Sequence, residues 1–148
     1  MRLLTWNVAG RQARRADQLR FVEARSPDLV CLQEITPGTV GFWVDGLARS
    51  GYQTVETSLP EARAPTRKRQ LGVLIASRLT RARPQLNAIE APWPEKTLSV
   101  VVKTYQGEVV VHTAHIPPGS SNGWVKVETL EAIRAGILAN GGYSQILT

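Results

Sequence analysis

The sequence predicts an α/β (α+β) fold, and two stretches carry that prediction. Near the N-terminus, two apolar runs flank a segment of helical composition, which is the pattern of a strand, a helix and a second strand. Further along, two runs rich in β-branched residues surround a tight glycine turn and predict a hairpin. The chain of 148 residues is long enough for one ordinary domain, so we assign residues 1–148 to a single domain.

The N-terminal unit begins with a short apolar strand, RLLTWN, over Arg2 to Asn7. A helix is predicted over about Arg14 to Arg25, and Leu19, Phe21 and Val22 are expected to face inward. Pro27 ends that helix, and DLVCLQE forms a second buried strand over Asp28 to Glu34. Two strands joined by a helical crossover are normally parallel, so their C-terminal ends lie on the same edge of the sheet. The sequence therefore places Asn7 close to Glu34.

The middle of the chain alternates short elements with one polar loop. A short helix, VGFWVDGLARSG, leads to a strand near Tyr52 to Thr57. The loop Ser58 to Gln70 separates that strand from the next one, LGVLIAS, at Leu71 to Ser77. The segments TLSVVVKTY and EVVVHTAHI then form the predicted hairpin around Gln106 and Gly107.

The C-terminal part predicts a loop, a helix and a final strand. The loop PPGSSNG precedes a helix over about Trp124 to Ala139, whose apolar spacing favours one buried face. That face comprises Val127, Leu130, Ile133, Ile137 and Leu138. Gly141 and Gly142 end the helix, and the last residues, YSQILT, have the composition of an opening strand.

The positive charge is concentrated in one segment. The formal net charge is +6, and the segment from Arg63 to Arg83 holds seven basic residues and no acidic one. Without those seven, the rest of the chain has a formal net charge of −1. Such a patch is typical of a surface that binds a polyanion, either nucleic acid or a phosphorylated ligand. A solvated loop is the alternative interpretation of RAPTRKRQ taken alone.

Cysteine content and hydropathy indicate the compartment. Cys31 is the single cysteine, lies in the apolar run DLVCL, and is interpreted as a small buried side chain in a reducing compartment. No run approaches the roughly 20 apolar residues of a membrane helix. The N-terminal apolar run is too short for a signal peptide. We therefore expect a soluble, cytoplasmic protein without a membrane partner.

Three polar residues at the ends of apolar strands are the candidate chemical groups. Asn7 and Glu34 share a sheet edge by topology, and His115 ends the longest β run, where open α/β sheets usually hold their ligands. His112 and His115 are three residues apart, so in a strand they point to opposite faces and cannot share one zinc ion. A lone carboxylate such as Glu34 instead suits Mg²⁺, which keeps most of its waters and takes substrate phosphate oxygens as further ligands. This set points to phosphate-ester chemistry.

Four segments resemble, in order, the first four sequence blocks of the endonuclease/exonuclease/phosphatase superfamily. They are RLLTWNVAG, PDLVCLQE, LGVLIASR and VVVHTAHIPPGSSNGWVKVETLEAI. The resemblance implies a two-layer β-sandwich flanked by helices, of the deoxyribonuclease I-like type, and hydrolysis that depends on Mg²⁺, with Mn²⁺ as an alternative ion. It implies that Asn7 helps to order the metal and phosphate site, that Glu34 binds the metal, and that His115 contacts the phosphate or acts as general acid.

Substrate binding is expected from basic residues around this site. The candidates are Arg67, Lys68, Arg69 and Lys126. Trp124 is a further candidate for contact with the substrate backbone, with a place in the core as the alternative. A nucleic acid substrate follows from these basic residues, because contacts to phosphates supply most of the affinity.

The resemblance also implies blocks beyond those four. In the family, a strand leads into GDxN, and an Asp-His pair follows near the C-terminus; the chain contains neither. YSQILT matches the strand that leads into GDxN. We therefore expect a C-terminally incomplete domain, truncated before the GDxN strand is complete, and leave the activity of the isolated 148-residue chain open.

Three functional hypotheses follow. The first is a metal-dependent nuclease that acts on DNA or RNA. The second is a phosphatase or phosphodiesterase for a lipid or a small phosphorylated substrate. The third is a non-catalytic fragment that binds nucleic acid or phosphate. The sequence assigns neither endo- nor exonucleolytic cleavage, and no oligomeric state.

Overall fold

The computed structural model describes residues 1–59, 70–79, 82–85 and 88–148. In this part of the chain, eight strands form two four-stranded sheets. The first sheet has, in spatial order, β1 (Leu3–Asn7), β2 (Leu29–Ile35), β4 (Gly72–Ser77) and β3 (Thr54–Thr57). The second has β5 (Arg83–Pro84), β6 (Thr97–Thr104), β7 (Gly107–Ala114) and β8 (Ser144–Leu147). The helices are α1 (Arg15–Arg25), α2 (Val40–Arg49), α3 (Gly119–Asn122) and α4 (Val125–Ala139), and a 3₁₀ turn covers Pro94–Lys96.

The strand pairings confirm the predicted N-terminal unit, the hairpin and the final strand. β1 and β2 are parallel, with Asn7 opposite Gln33, so that Glu34 lies one residue beyond. β6 and β7 are antiparallel, with Thr104 opposite Gly107 at the turn. β8 adds to the second sheet in parallel with β7. These three local patterns therefore form the elements that they predict.

The two sheets pack face to face with helices outside, which confirms the sandwich. β2 supplies both faces of its sheet because successive side chains of a strand point to opposite sides. Val30 and Leu32 belong to the cluster that α1 and α2 cover, with Trp43 and Leu47. Leu29 and Cys31 belong to the cluster between the sheets, with other residues from β4, β6 and β7. A third, smaller cluster joins α4 to the second sheet.

Cys31 occupies the position expected of a small apolar side chain. It is fully buried between the sheets. Burial raises the pKa of its thiol from 9.0 to about 11, and a hydrogen bond with Thr148 opposes that rise in part. The thiol is therefore protonated and unreactive near neutral pH.

Two helices bury only part of the faces predicted for them. On α1, Val22 is buried and Leu19 partly so, as predicted, but Phe21 is 43% exposed and packs edge-on against Trp6. Of the predicted face of α4, Ile133 is buried and Ile137 partly so, whereas Val127, Leu130 and Leu138 are exposed. Thr129 and Gly136 are buried in addition.

Gly136 explains the orientation of α4. A Cβ atom at this position would lie 2.2 Å from the carbonyl oxygen of Ala88, so only glycine permits the approach of the helix. The buried face of α4 therefore combines Ile133 with Thr129 and Gly136, two residues that a search for large apolar side chains overlooks.

The PPGSSNG segment, predicted as a loop, contains the short helix α3. Trp124, just beyond it, is 76% exposed, so its alternative place in the core is wrong. Among the described residues, no helix is long and apolar enough to cross a membrane.

Candidate active site

Asn7, Glu34 and His115 lie together at the ends of three strands. Asn7 is the last residue of β1, Glu34 is the penultimate residue of β2, and His115 follows β7 in the other sheet. The amide Nδ2 of Asn7 donates a hydrogen bond of 2.9 Å to Oε1 of Glu34, and Nε2 of His115 lies 3.5 Å from the same oxygen. The structure thus brings the three predicted residues together around one carboxylate.

The backbone at Glu34 departs from regular strand geometry. Its φ of +61° lies in the left-handed region, and the pairing of β2 with β4 shifts between Gln33 and Ile35. This is a β-bulge, which re-aims a side chain at the cost of regular pairing. A non-glycine residue in this region costs about 1–2 kcal/mol. The surrounding fold holds Glu34 in a strained conformation, as is common where a side chain must be placed for chemistry.

Asn7 holds the carboxylate through a local turn. Its Oδ1 accepts a hydrogen bond of 2.9 Å from the backbone N–H of Ala9, two residues on. Ala9 and Gly10 both have positive φ, so the chain leaves β1 in a tight left-handed turn. With Oδ1 engaged and Nδ2 directed at Glu34, Asn7 orients the carboxylate. Its role as a direct metal ligand stays a prediction.

Lys96 completes the site and was not among the predicted residues. Its side chain is buried, and Nζ lies 2.9 Å from Nδ1 of His115. The backbone N–H of His115 also donates to the carbonyl oxygen of Lys96 at 2.8 Å. The hairpin register pairs Thr97 with Ala114, which puts these two residues opposite one another. The turn at Gln106 and Gly107, which the sequence predicts, sets this register. It is therefore the sequence feature from which the position of Lys96 opposite His115 could have been inferred.

The second histidine belongs to a different cluster, as the three-residue spacing predicted. His112 is fully buried, with Nδ1 at 2.7 Å from Oγ of Ser99 and Nε2 at 3.0 Å from Oε1 of Gln145. Burial lowers the pKa of His112, and the hydrogen bond with Gln145 raises it in part. The imidazole of His112 thus contacts Ser99 and Gln145, whereas that of His115 contacts Lys96 and Glu34.

A cavity of about 470 Å³ opens beside Asn7 at the start of α1. Its lining includes Trp6, Phe21 and two exposed arginines, Arg11 and Arg14. Neither arginine is among the predicted binding residues, which are Arg67, Lys68, Arg69 and Lys126. Guanidinium groups and aromatic rings next to a strand end offer contacts to phosphates and bases.

The other predicted binding residues are not all described. Arg67, Lys68 and Arg69 lie outside the described residues. Lys126 is exposed on the first turn of α4, with its Cδ atom against Gly119. Two further basic residues of the charged segment have partners: Arg78 lies over the ring of Tyr52, and Arg83 forms an ion pair with Glu108.

The residues present fit a hard, hydrated cation. Within the described ranges, no three His, Cys, Asp or Glu side chains are grouped to hold a metal by themselves. Glu34 nevertheless offers a carboxylate that is 20% exposed beside His115. One carboxylate with several waters is the kind of ligand set that Mg²⁺ accepts, whereas zinc sites use three or four protein ligands.

Solved structures with the same fold include two that contain a DNA product and one of a 2′,3′-cyclic phosphatase. The 3′ phosphatase NExo from Neisseria bound to a product DNA hairpin has a TM-score of 0.72 and 21% identity, over 99% of this chain and 56% of that one. D. rerio TDP2 with a single-strand DNA product has a TM-score of 0.66 and 15% identity, over 99% and 58%. ANGEL2, a 2′,3′-cyclic phosphatase, has a TM-score of 0.67 and 15% identity, over 93% and 47%. This chain thus spans about half the length of each.

Sequence comparison identifies the family directly. No curated protein sequence matches the chain significantly. The sequence model of the Endonuclease/Exonuclease/phosphatase family matches residues 4–144, which is nearly the whole chain and includes every residue of the Asn7, Glu34, Lys96 and His115 cluster. The chain therefore belongs to the endonuclease/exonuclease/phosphatase family.

Proposed function

We propose that this chain takes part in Mg²⁺-dependent hydrolysis of phosphodiester bonds in DNA or RNA. The observation that carries the proposal is the contact of Asn7 and His115 with one oxygen of Glu34, at the meeting point of strands from both sheets. A bulge that strains the backbone at Glu34 supports a chemical role for this carboxylate. Family membership supplies the reaction class, the hydrolysis of phosphate esters.

Each residue of the cluster has a separate task in this proposal. Glu34 holds Mg²⁺ together with water, and the bound ion supplies polarisation of the phosphoryl group and stabilisation of the leaving oxygen. Asn7 keeps the carboxylate in place through its 2.9 Å hydrogen bond. His115 contacts the phosphate or assists departure of the leaving oxygen from its Nε2 side, which faces Glu34.

A nucleic acid substrate is supported by the distribution of charge. The net charge of +6 and the run of basic residues between Arg63 and Arg83 favour a long polyanion over a small ester. Arg11 and Arg14 line the cavity beside Asn7, where they offer contacts to phosphates next to the reacting one. Two of the similar structures, NExo and TDP2, contain DNA products.

Metal binding can be tested without turnover. Mn²⁺ broadens the NMR signals of nuclei near it, and the chain has only two histidines to observe. We expect substoichiometric Mn²⁺ to broaden the ring signals of His115 more than those of His112. The variant Glu34→Gln should lose this effect, and Glu131→Gln, which changes an exposed carboxylate on α4, should keep it. Equal broadening of both rings, or an unchanged effect in Glu34→Gln, would argue against Glu34 as the ligand.

The substrate class needs a panel of phosphate esters. The chain, and any longer protein that contains it, would be incubated with Mg²⁺ and plasmid DNA, an abasic oligonucleotide, RNA, sphingomyelin and inositol phosphates. We expect cleavage of nucleic acid, with loss in Glu34→Gln. Replacement of Arg11 and Arg14 together by Ala should weaken binding to every sequence and reduce the dependence of affinity on salt. Cleavage of sphingomyelin or inositol phosphates alone would contradict the nuclease proposal.

A second candidate is a phosphatase or phosphodiesterase for a lipid or small phosphorylated substrate. The similar structure of ANGEL2 is that of a 2′,3′-cyclic phosphatase, so the fold also accommodates a compact phosphate ester. The same panel separates the two candidates. Binding of oligonucleotides without cleavage by either the chain or a longer form would favour the third hypothesis, a non-catalytic phosphate-binding module.

A further inference from the structure

We propose that Lys96 is a positioning residue that fixes the ring orientation and the tautomer of His115. Two contacts tie the residues together: Nζ of Lys96 lies 2.9 Å from Nδ1 of His115, and the backbone N–H of His115 donates to the carbonyl oxygen of Lys96. Both contacts follow from the β6 to β7 register, in which Lys96 and His115 continue the pairing beyond Thr97 and Ala114. The lysine is thus placed by the sheet itself.

The chemistry of the two groups decides which ring nitrogen carries the proton. A lysine ammonium has three donors and no acceptor, so at 2.9 Å it donates and Nδ1 accepts. In the neutral ring the hydrogen is then on Nε2. That nitrogen faces Oε1 of Glu34 at 3.5 Å, and a carboxylate oxygen accepts hydrogen bonds. Both sides of the ring therefore favour the same tautomer, with Nε2–H directed at the Glu34 side.

The position of Lys96 makes this contact more restrictive than that of a surface lysine. Lys96 is 6% exposed and ends the 3₁₀ turn Pro94–Lys96 directly before β6, so its side chain starts from a fixed backbone. Lys103, near the other end of β6, is exposed. A buried donor of fixed origin holds one geometry of the ring, which a mobile surface side chain does not do.

The consequence for catalysis rests on the proposed function. If the phosphate binds beside Glu34, the Nε2–H of His115 is already directed toward that region before the substrate arrives. Such preorganised donors are worth more than donors that must turn during the reaction. The tautomer itself does not depend on any activity, so it can be tested on the chain alone.

The experiment is a long-range ¹H–¹⁵N NMR correlation of the two imidazole rings, recorded at a pH above which the ring signals no longer change, so that both rings are neutral. The variant His115→Gln assigns the signals, because it leaves only His112. We expect His115 in the wild type to carry its proton on Nε2. Lys96→Met should weaken this preference and raise the share of the Nδ1–H tautomer, because only the Glu34 side then favours Nε2–H, and Lys96→Arg, which keeps a donor, should restore it. Lys103→Met is the matched control and should change nothing.

Each outcome decides the proposal. An Nδ1–H tautomer in the wild type overturns it even if no variant folds, and so does an unchanged Nε2–H preference in folded Lys96→Met. The signals of His112 serve as the internal reference, because Ser99 and Gln145 hold that ring independently. If the Nε2–H tautomer is found but Glu34→Gln retains its metal binding, the proposed function fails and the role of Lys96 stands.

Discussion

His112 and His115 lie three residues apart in the chain, and their surroundings differ in almost every respect. His112 is fully buried and its two nitrogens contact neutral groups, Ser99 and Gln145. Gln145 in turn donates to backbone carbonyls at the end of α4, so this histidine links β6, β7, β8 and the helix. His115 lies between the charged side chains of Lys96 and Glu34, and its side chain is 14% exposed.

The two histidines differ in the charge of their partners. Neutral partners satisfy the ring of His112, and its contacts stabilise the fold. Under the proposed function, the charged side chains beside His115 would fix the direction of its ring proton and keep one edge of the ring next to a carboxylate that can hold a cation. The sequence HTAH thus contains two identical side chains whose partners differ.

Replacement of His112 by Ala should have the largest effect on the free energy of unfolding. The variant leaves a cavity and removes the partners of Ser99 and Gln145, so we expect a loss of about 3–5 kcal/mol. Urea unfolding followed by the fluorescence of the four tryptophans measures it. A loss below about 1 kcal/mol would mean that the network around His112 contributes little and that the comparison of the two histidines is wrong.

Acid should weaken the fold through the same residue. Burial holds the pKa of His112 below its ordinary value of 6.5, so the unfolded chain binds this proton at a higher pH than the folded chain does. The contribution is fully present above about pH 6.5 and is lost progressively as the pH falls toward the lowered pKa. The free energy of unfolding should therefore decrease between about pH 7.5 and pH 5.5.

The control for the acid effect is His112→Gln, which cannot titrate. Its unfolding free energy should vary less with pH over the same range.

Glu56 affects the pH dependence of stability in the opposite direction. Burial raises the pKa of Glu56, so its contribution to the free energy of unfolding is lost as the pH rises through the raised value. An equal slope in the wild type and in His112→Gln would assign the acid sensitivity to other groups.

Much of this arrangement can be predicted from the sequence, because it follows from local patterns. The strand, helix, strand unit places Asn7 beside Glu34 through the parallel pairing of β1 and β2. The glycine turn at Gly107 sets the hairpin register. That register pairs Ser99 with His112. If it is continued by one residue beyond the pair Thr97 and Ala114, Lys96 lies opposite His115.

Other features depend on how separate layers pack, which no local pattern contains. The approach of His115 to Glu34 joins two different sheets. The left-handed conformation of Glu34 contradicts the preference of its residue type, and the sequence predicted an ordinary strand end there. The orientation of α4 depends on the close approach of Gly136 to the carbonyl oxygen of Ala88, a residue that is distant in sequence.

Strain at Glu34 should appear as a difference between two variants that both lack its carboxylate. Glu34→Ala keeps a Cβ atom in the left-handed conformation, and Glu34→Gly removes it. We expect the glycine variant to be more stable than the alanine variant by about 1 kcal/mol, because glycine adopts positive φ without steric cost. Urea unfolding measures the difference, and equal stability would show that the bulge relaxes once the side chain is removed.

The smallest effect on stability is expected for His115→Gln. The amide can accept from Lys96 and donate to Glu34, so these two contacts can persist, and the unfolding free energy should change by less than about 0.5 kcal/mol. The same variant separates the two roles left open for His115, because an amide donates a hydrogen bond but transfers no proton. With Nδ1 accepting from Lys96, we expect the role of hydrogen-bond donor. Under the proposed function, the rate of nucleic acid cleavage by the His115→Gln variant should then lie within about tenfold of the wild type, whether the chain or a longer protein that contains it is assayed. A general acid would instead lose about 10²–10⁴-fold, and a fall of that size, without loss of stability, would contradict the donor role.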